Sequence, residues 1–116
     1  MSEQGKKAAV LEACLGKPER LDGLVEYAAD SIVSKTIVDK TAGSITLFAF
    51  DEGQRLSEHT SPYDAVVQVL DGRAGLTIGG QEKDVAAGQL IIMPANVPHA
   101  VTAKEPFKML LIMIRA

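Results

Sequence analysis

The stretch Gly53–Gly72, GQRLSEHTSPYDAVVQVLDG, carries the strongest fold signal of this chain. It places one histidine, His59, between a glycine turn and a run of strand-forming residues. A second stretch, Gly88–His99 (GQLIIMPANVPH), repeats this glycine-to-strand pattern and holds the only other histidine of the protein. Because each histidine belongs to a similar glycine-to-strand unit, we predict that both side chains face one cavity.

Length and composition limit the classes of protein to consider. A chain of 116 residues with 47% hydrophobic and 23% charged residues is typical of one globular domain with a substantial core. Its net charge of −3, with scattered Lys and Arg, argues against nucleic acid as a partner, and no apolar run is long enough to span a membrane. Cys14 has no cysteine partner, so we expect a cytoplasmic protein in which Cys14 is a small hydrophobic residue rather than a reactive thiol.

The chain divides into a short N-terminal part and a β-rich remainder. We predict a tail and short helix within residues 1–30, with the helix over Lys6–Leu15 packed on the body of the domain. Leu21–Ala29 forms either a further helical turn or an irregular lead into the sheet. Residues 31–116 carry seven or eight β-branched segments separated by Gly or Pro, which indicates an antiparallel sandwich or barrel.

The last of these segments, Phe107–Arg115, is apolar at both alternating sets of positions. Such a strand either is buried on both sides or packs at a contact between subunits. Open sheet edges need covering as well, and Ser31–Asp39 is a segment that two subunits could exchange. We therefore expect a homodimer.

The two histidine stretches resemble the two motifs of the cupin superfamily, and the resemblance covers Thr41–Arg115. It implies an all-β fold, the double-stranded β-helix barrel of jelly-roll type. The residues that carry it, at the spacing of the family motifs, are Gly53, His59 and Gly72 in the first and Gly88, Pro94 and His99 in the second.

Metal sites of the family usually take two histidines and a glutamate from the first motif and one histidine from the second. This chain keeps His59 and His99 only, and these are its metal-ligand candidates. Four motif positions are changed: Ser61 replaces a histidine, Ala65 the glutamate, Asn96 a glycine and Ala103 an asparagine.

Two imidazoles alone make a poor metal cage, because a catalytic zinc normally keeps three protein ligands and non-haem iron sites also need a carboxylate. Asp64 and Gln68 are weak candidates for a third ligand, since both have the opposite strand parity to the lost glutamate position. The cofactor prediction therefore stays open between one divalent metal (Zn, Ni, Fe or Mn) and none.

Three functions follow from these observations. The first is a pocket that binds a small polar or aromatic molecule, with no catalytic residue assigned. The second is a metal-dependent cupin enzyme of isomerase, lyase or oxygenase type that uses His59 and His99, as the resemblance implies. The third is an interaction domain that dimerises through its apolar C-terminal strand and N-terminal segment and has no pocket chemistry. The residues predicted to line the pocket are Phe48, His59, Ser61, Met93, His99 and Met109.

Overall fold

The computed structural model describes residues 9–115, which form two antiparallel β-sheets and two single 3₁₀ turns. The turns are Glu12–Cys14 and Leu21–Gly23. The strands of this part of the chain are β1 (Ala9–Val10), β2 (Ile32–Lys40), β3 (Gly43–Phe50), β4 (Arg55–His59), β5 (Asp64–Asp71), β6 (Arg73–Ile78), β7 (Gln81–Ala86), β8 (Leu90–Met93), β9 (His99–Thr102) and β10 (Phe107–Ile114).

The two sheets pack face to face. The larger has six strands in the order β1-β2-β3-β10-β5-β8, and the smaller has four in the order β4-β9-β6-β7. The chain crosses repeatedly between the sheets, as a jelly roll does. Among residues 9–115 no strand pairing joins the sheet edges, so the all-β prediction is confirmed but the sheets do not close into the predicted barrel.

The core lies between the sheets and follows the two-residue period of the strands. On β5, Ala65, Val67 and Val69 are buried while the residues between them are not, as the alternation in the sequence predicts. Phe50 and Phe107 stack with ring centroids 4.6 Å apart and are fully buried. Burying each of these rings contributes about 1.5–3 kcal/mol, so the pair anchors one end of the sandwich.

The N-terminal helix predicted over Lys6–Leu15 is not found. Its described part forms strand β1, which pairs with β2, and the 3₁₀ turn Glu12–Cys14, which is followed by Gly16 with φ 70°. Lys6, Lys7 and Ala8 lie outside the described residues. A short helix with one apolar stripe is marginal in water, whereas the free edge of β2 offers backbone hydrogen bonds. Pairing of this segment with the edge of β2 is therefore more favourable than helix formation.

The segment around the second turn covers part of the outer face of the six-stranded sheet. Leu21, Leu24 and Val25 pack there against Leu47 and Leu110. Strand β10 is thus buried on both sides in its first half, while its last residues are only partly covered. Cys14 is half-buried, and none of the helical turns in residues 9–115 is long or apolar enough to cross a membrane.

Candidate functional site

Two glycine turns start the units that carry the histidines. Gly53 and Gly88 have φ values of 88° and 90°, in the left-handed region that glycine adopts without a steric cost. The backbone N–H of Gly53 donates to the carbonyl of Ala103 at 2.7 Å, which fixes the start of β4 beside the end of β9. Strands β4 and β9 then pair so that His59 and His99 are direct cross-strand neighbours.

The loops beyond the two histidines are tied to each other. The N–H of Asn96 donates to the carbonyl of Ser61 at 2.7 Å, and the N–H of Ala95 donates to the carboxylate of Asp64 at 2.8 Å. Asn96, which replaces a motif glycine, has φ 64°. Asparagine tolerates the left-handed region better than most residues, so the substitution keeps the turn that the glycine would form.

The two imidazole rings meet edge to face. Their Nε2 atoms are 3.1 Å apart, and the ring centroids are separated by 4.3 Å at an interplanar angle of 70°. His99 is 6% exposed, whereas His59 is exposed at the end of β4. The pair therefore lies at a boundary between the interior and solvent.

The hydrogen bonds of the two rings determine their tautomers. Nδ1 of His59 lies 2.9 Å from the carbonyl oxygen of Ser57, and Nδ1 of His99 lies 3.1 Å from that of Val97. A carbonyl only accepts hydrogen bonds, so each Nδ1 must carry the proton of its neutral ring. Both Nε2 atoms are then bare acceptors 3.1 Å apart, and only a proton, a donor group or a cation between them makes that approach favourable.

Beside the pair is an apolar cavity of about 120 Å³ between the two sheets. The six residues predicted from the sequence as pocket residues all line it, with the side chains of both histidines at its polar end. The full lining is Phe48, Leu56, His59, Ser61, Ala65, Met93, His99, Val101, Met109, Leu111 and Met113.

Some of these lining residues could be found in the sequence and one could not. Leu111 and Met113 share the strand parity of Met109, so the alternation of β10 identifies them. Leu56 is three residues from His59 and would lie on the opposite face of a regular strand. A bulge between these two positions brings both to the cavity, and no sequence signal marks that bulge.

The donors present do not complete a metal cage. An Nε2 separation of 3.1 Å suits two adjacent ligands at about 2.0–2.1 Å from one ion. However, Asp64 and Gln68 do not line the cavity, and the Asp64 carboxylate is used by the loop at Ala95. No group of three or more His, Cys, Asp or Glu side chains suited to a metal occurs within residues 9–115. Two of the usual ligands are therefore all that this part of the chain supplies.

Comparison with known proteins identifies the family. A model described as the cupin domain matches residues 46–114. A conserved protein of unknown function from Streptococcus pyogenes is similar in structure, with TM-score 0.84, 40% identity and coverage of 88% of this chain and 90% of that one. A cupin 2 conserved barrel domain protein from Leptotrichia buccalis has TM-score 0.80 and 42% identity, covering 82% of this chain and 46% of that one.

An uncharacterised protein of Streptomyces coelicolor is 34% identical over 84 residues, which is 72% of this chain and 80% of that protein. Together with the two facing motifs, these matches mean that the chain belongs to the cupin domain family.

Proposed function

We propose that this cupin binds a small molecule with an apolar body and one hydrogen-bond-donating group, without a resident metal. The observation that carries the proposal is the pair of acceptor Nε2 atoms, 3.1 Å apart, at the polar end of an otherwise apolar cavity. An amine beside His59 and His99 would donate one N–H to each Nε2 atom, whereas a hydroxyl carries one proton and would donate to one of them. The apolar body of the ligand would make van der Waals contacts with the apolar side chains of the cavity wall.

The volume of the cavity limits the size of the ligand. At about 120 Å³ it is close to the ~150 Å³ apolar cavity that accepts benzene in an engineered protein. Phenol, or an amine with a single ring or short chain, is therefore of suitable size. Met93, Met109 and Met113 are flexible enough to adjust the wall by small rotations.

The second candidate is a metal-dependent enzyme of isomerase, lyase or oxygenase type. The spacing of the two Nε2 atoms favours it, since adjacent metal ligands stand at such a distance. The incomplete ligand set counts against it, because within residues 9–115 His59 and His99 leave the site at least one protein ligand short. Metal content separates the two candidates.

Titration with phenol and toluene tests the proposed ligand chemistry, because the two molecules differ mainly in a donating hydroxyl. We expect phenol to bind about 10-fold more tightly than toluene to the chelator-treated protein, as measured by NMR titration, since only phenol donates to the imidazoles. Benzoate should not bind, because at neutral pH its carboxylate offers only acceptors to the two bare nitrogens.

The matched variants are His99→Leu and Glu58→Gln. His99→Leu leaves His59 as the single acceptor and should reduce the preference for phenol, whereas Glu58 does not line the cavity and its variant should bind like wild type. Equal affinity of wild type for phenol and toluene would contradict the proposal. So would one equivalent of Zn, Ni, Fe or Mn that resists dialysis in protein purified without chelator.

A further inference from the structure

The inward-facing side of β2 and β3 changes from apolar to hydroxylated along its length. At one end Ile32 and Phe50 are direct cross-strand partners, and both pack in the core between the sheets. Toward the other end the same side carries hydroxyl groups, because strand alternation and the pairing of β2 with β3 place them there. These four side chains, which we call the hydroxyl ledge, are Ser34, Thr36, Ser44 and Thr46.

The hydroxyl ledge is accessible to solvent although it lies on the inward-facing side of its sheet. Ser34 and Thr36 are exposed, and Ser44 and Thr46 are half-buried. In the part of the chain that the structure describes, the smaller sheet ends at its edge strand β4 and does not fully cover these side chains. Their hydroxyl groups are therefore available to a bound molecule.

The hydroxyl ledge borders the cavity directly. Thr46 is two residues from Phe48 on the same side of β3, and it is the cross-strand partner of Leu111 on β10. Ser44 is the cross-strand partner of Met113 in the same way. Because Phe48, Leu111 and Met113 all line the cavity, its apolar wall continues into the hydroxyl groups without a break.

We propose that the ligand of this cavity carries a neutral, polyhydroxylated tail, and that the hydroxyl ledge binds this tail. This assignment rests on the proposed function, because the apolar body of the same molecule fills the cavity and its donor group contacts His59 and His99. Serine and threonine hydroxyls donate and accept hydrogen bonds, and so do the hydroxyls of a sugar or polyol. The two surfaces are therefore complementary.

The dimensions and charges of the hydroxyl ledge limit the tail. From Ser34 to Ser44 the ledge covers four residue positions along the strands and two neighbouring strands, a patch about 14 Å long and about 5 Å wide. Asp39, the cross-strand partner of Ser44, pairs with Arg115 at 3.3 Å, so the charge at this end of the ledge is balanced. A neutral tail of the size of a sugar ring is therefore favoured over a charged one.

Two para-substituted phenols test the proposal on the full chain. The compounds para-hydroxyphenyl β-glucoside and para-methoxyphenol share the phenol group that the cavity accepts, and only the glucoside has a polyhydroxylated tail. We expect NMR titration to show that the glucoside binds roughly 10-fold more tightly, as one or two additional hydrogen bonds would give.

The matched variants change only the hydroxyl groups. Thr36→Val/Thr46→Val removes two hydroxyls while keeping strand-forming side chains of the same shape, and it should reduce the ratio of the two affinities to about one. Thr36→Ser/Thr46→Ser keeps both hydroxyls and should retain the preference for the glucoside. The control is Thr77→Val, because Thr77 lies on β6 of the smaller sheet outside the cavity lining, and this variant should bind both compounds like wild type.

Nuclear Overhauser contacts locate the tail. We expect them between the sugar protons and the methyl groups of Thr36 and Thr46 in the wild-type complex. Equal affinity of wild type for the two compounds, a ratio unchanged by Thr36→Val/Thr46→Val, or sugar contacts elsewhere on the protein would each overturn the proposal.

A third compound separates failure of this proposal from failure of the proposed function. The compound para-methylanisole has the shape of para-methoxyphenol without the donating hydroxyl. If wild type prefers para-methoxyphenol to para-methylanisole but binds the glucoside no more tightly, the hydroxyl ledge is not a binding surface and the proposed function stands. If wild type binds neither phenol, both proposals are overturned.

Discussion

Asn96 illustrates how one residue preserves a turn in a motif that has otherwise changed. Its φ of 64° lies in the region that most side chains avoid, and its N–H holds the carbonyl of Ser61. This bond connects the loop before His99 with the loop after His59. The loss of the motif glycine therefore leaves the approach of the two histidines intact.

Substitutions at Asn96 should separate backbone strain from side-chain chemistry. We expect Asn96→Ala to lower the free energy of unfolding by about 1 kcal/mol, because a Cβ without a short polar side chain is disfavoured at positive φ. Asn96→Gly should stay within about 0.5 kcal/mol of wild type. Urea unfolding measures both, and equal destabilisation by Ala and Gly would show that the left-handed backbone is not the cause.

Among the elements, the segment around the second 3₁₀ turn is held on the sheet by polar contacts of Tyr27 and Lys108 in addition to its apolar packing. The hydroxyl of Tyr27 donates to the carboxylate of Asp71 at 2.5 Å, and the Lys108 ammonium lies 5.0 Å from the centre of its ring. Lys108 also donates to the backbone carbonyl of Asp22 at 2.7 Å. Burial, and then the hydrogen bond to Asp71, raise the pKa of Tyr27 well above its ordinary value.

The raised pKa of Tyr27 predicts how stability changes at high pH. The folded state favours the protonated phenol, so its stabilising contribution is complete below about pH 10, the pKa in the unfolded chain, and is lost as the pH rises toward the folded value. At pH 7 we expect Tyr27→Phe to be about 1 kcal/mol less stable than wild type. The difference should shrink as the pH rises above about 10 in chemical unfolding; a constant difference would contradict this linkage.

Across the whole molecule, the two sheets bring four motif positions to one cavity. Ser61 and Ala65 line it together with His59 and His99. In the usual ligand set of the family, positions 61 and 65 hold a histidine and a glutamate. The four ligand positions of the family thus still surround one cavity, while the side chains at two of them are changed.

Restoring those two side chains should restore metal binding. We expect the double variant Ser61→His/Ala65→Glu to retain about one equivalent of Zn or Ni after dialysis, because four ligands then surround one point, whereas wild type retains none. Elemental analysis measures the metal content. The control Ser61→His/Ala65→Gln replaces the anionic carboxylate by an amide and should retain less metal. A double variant with no more metal than wild type would mean that the four positions do not converge.

The family and most of the pocket could be predicted from the amino-acid sequence alone. Glycines, proline and histidines at fixed offsets specify local turns and strand parity, which are short-range properties of the backbone. For this reason the sequence pattern assigns Phe48, Met93 and Met109 to the same cavity as the histidines, and all three line it. The alternation of buried and more exposed residues along β5 can be predicted for the same reason.

The features that depend on long-range pairing became clear only in the folded chain. The bulge that turns Leu56 toward the cavity arises where β4 meets β9, and the open sheet edges depend on which strands pair. The segment Ala9–Val10 is a strand because β2 presents a free edge. The contact of the two imidazoles likewise depends on β4 and β9 pairing across forty residues.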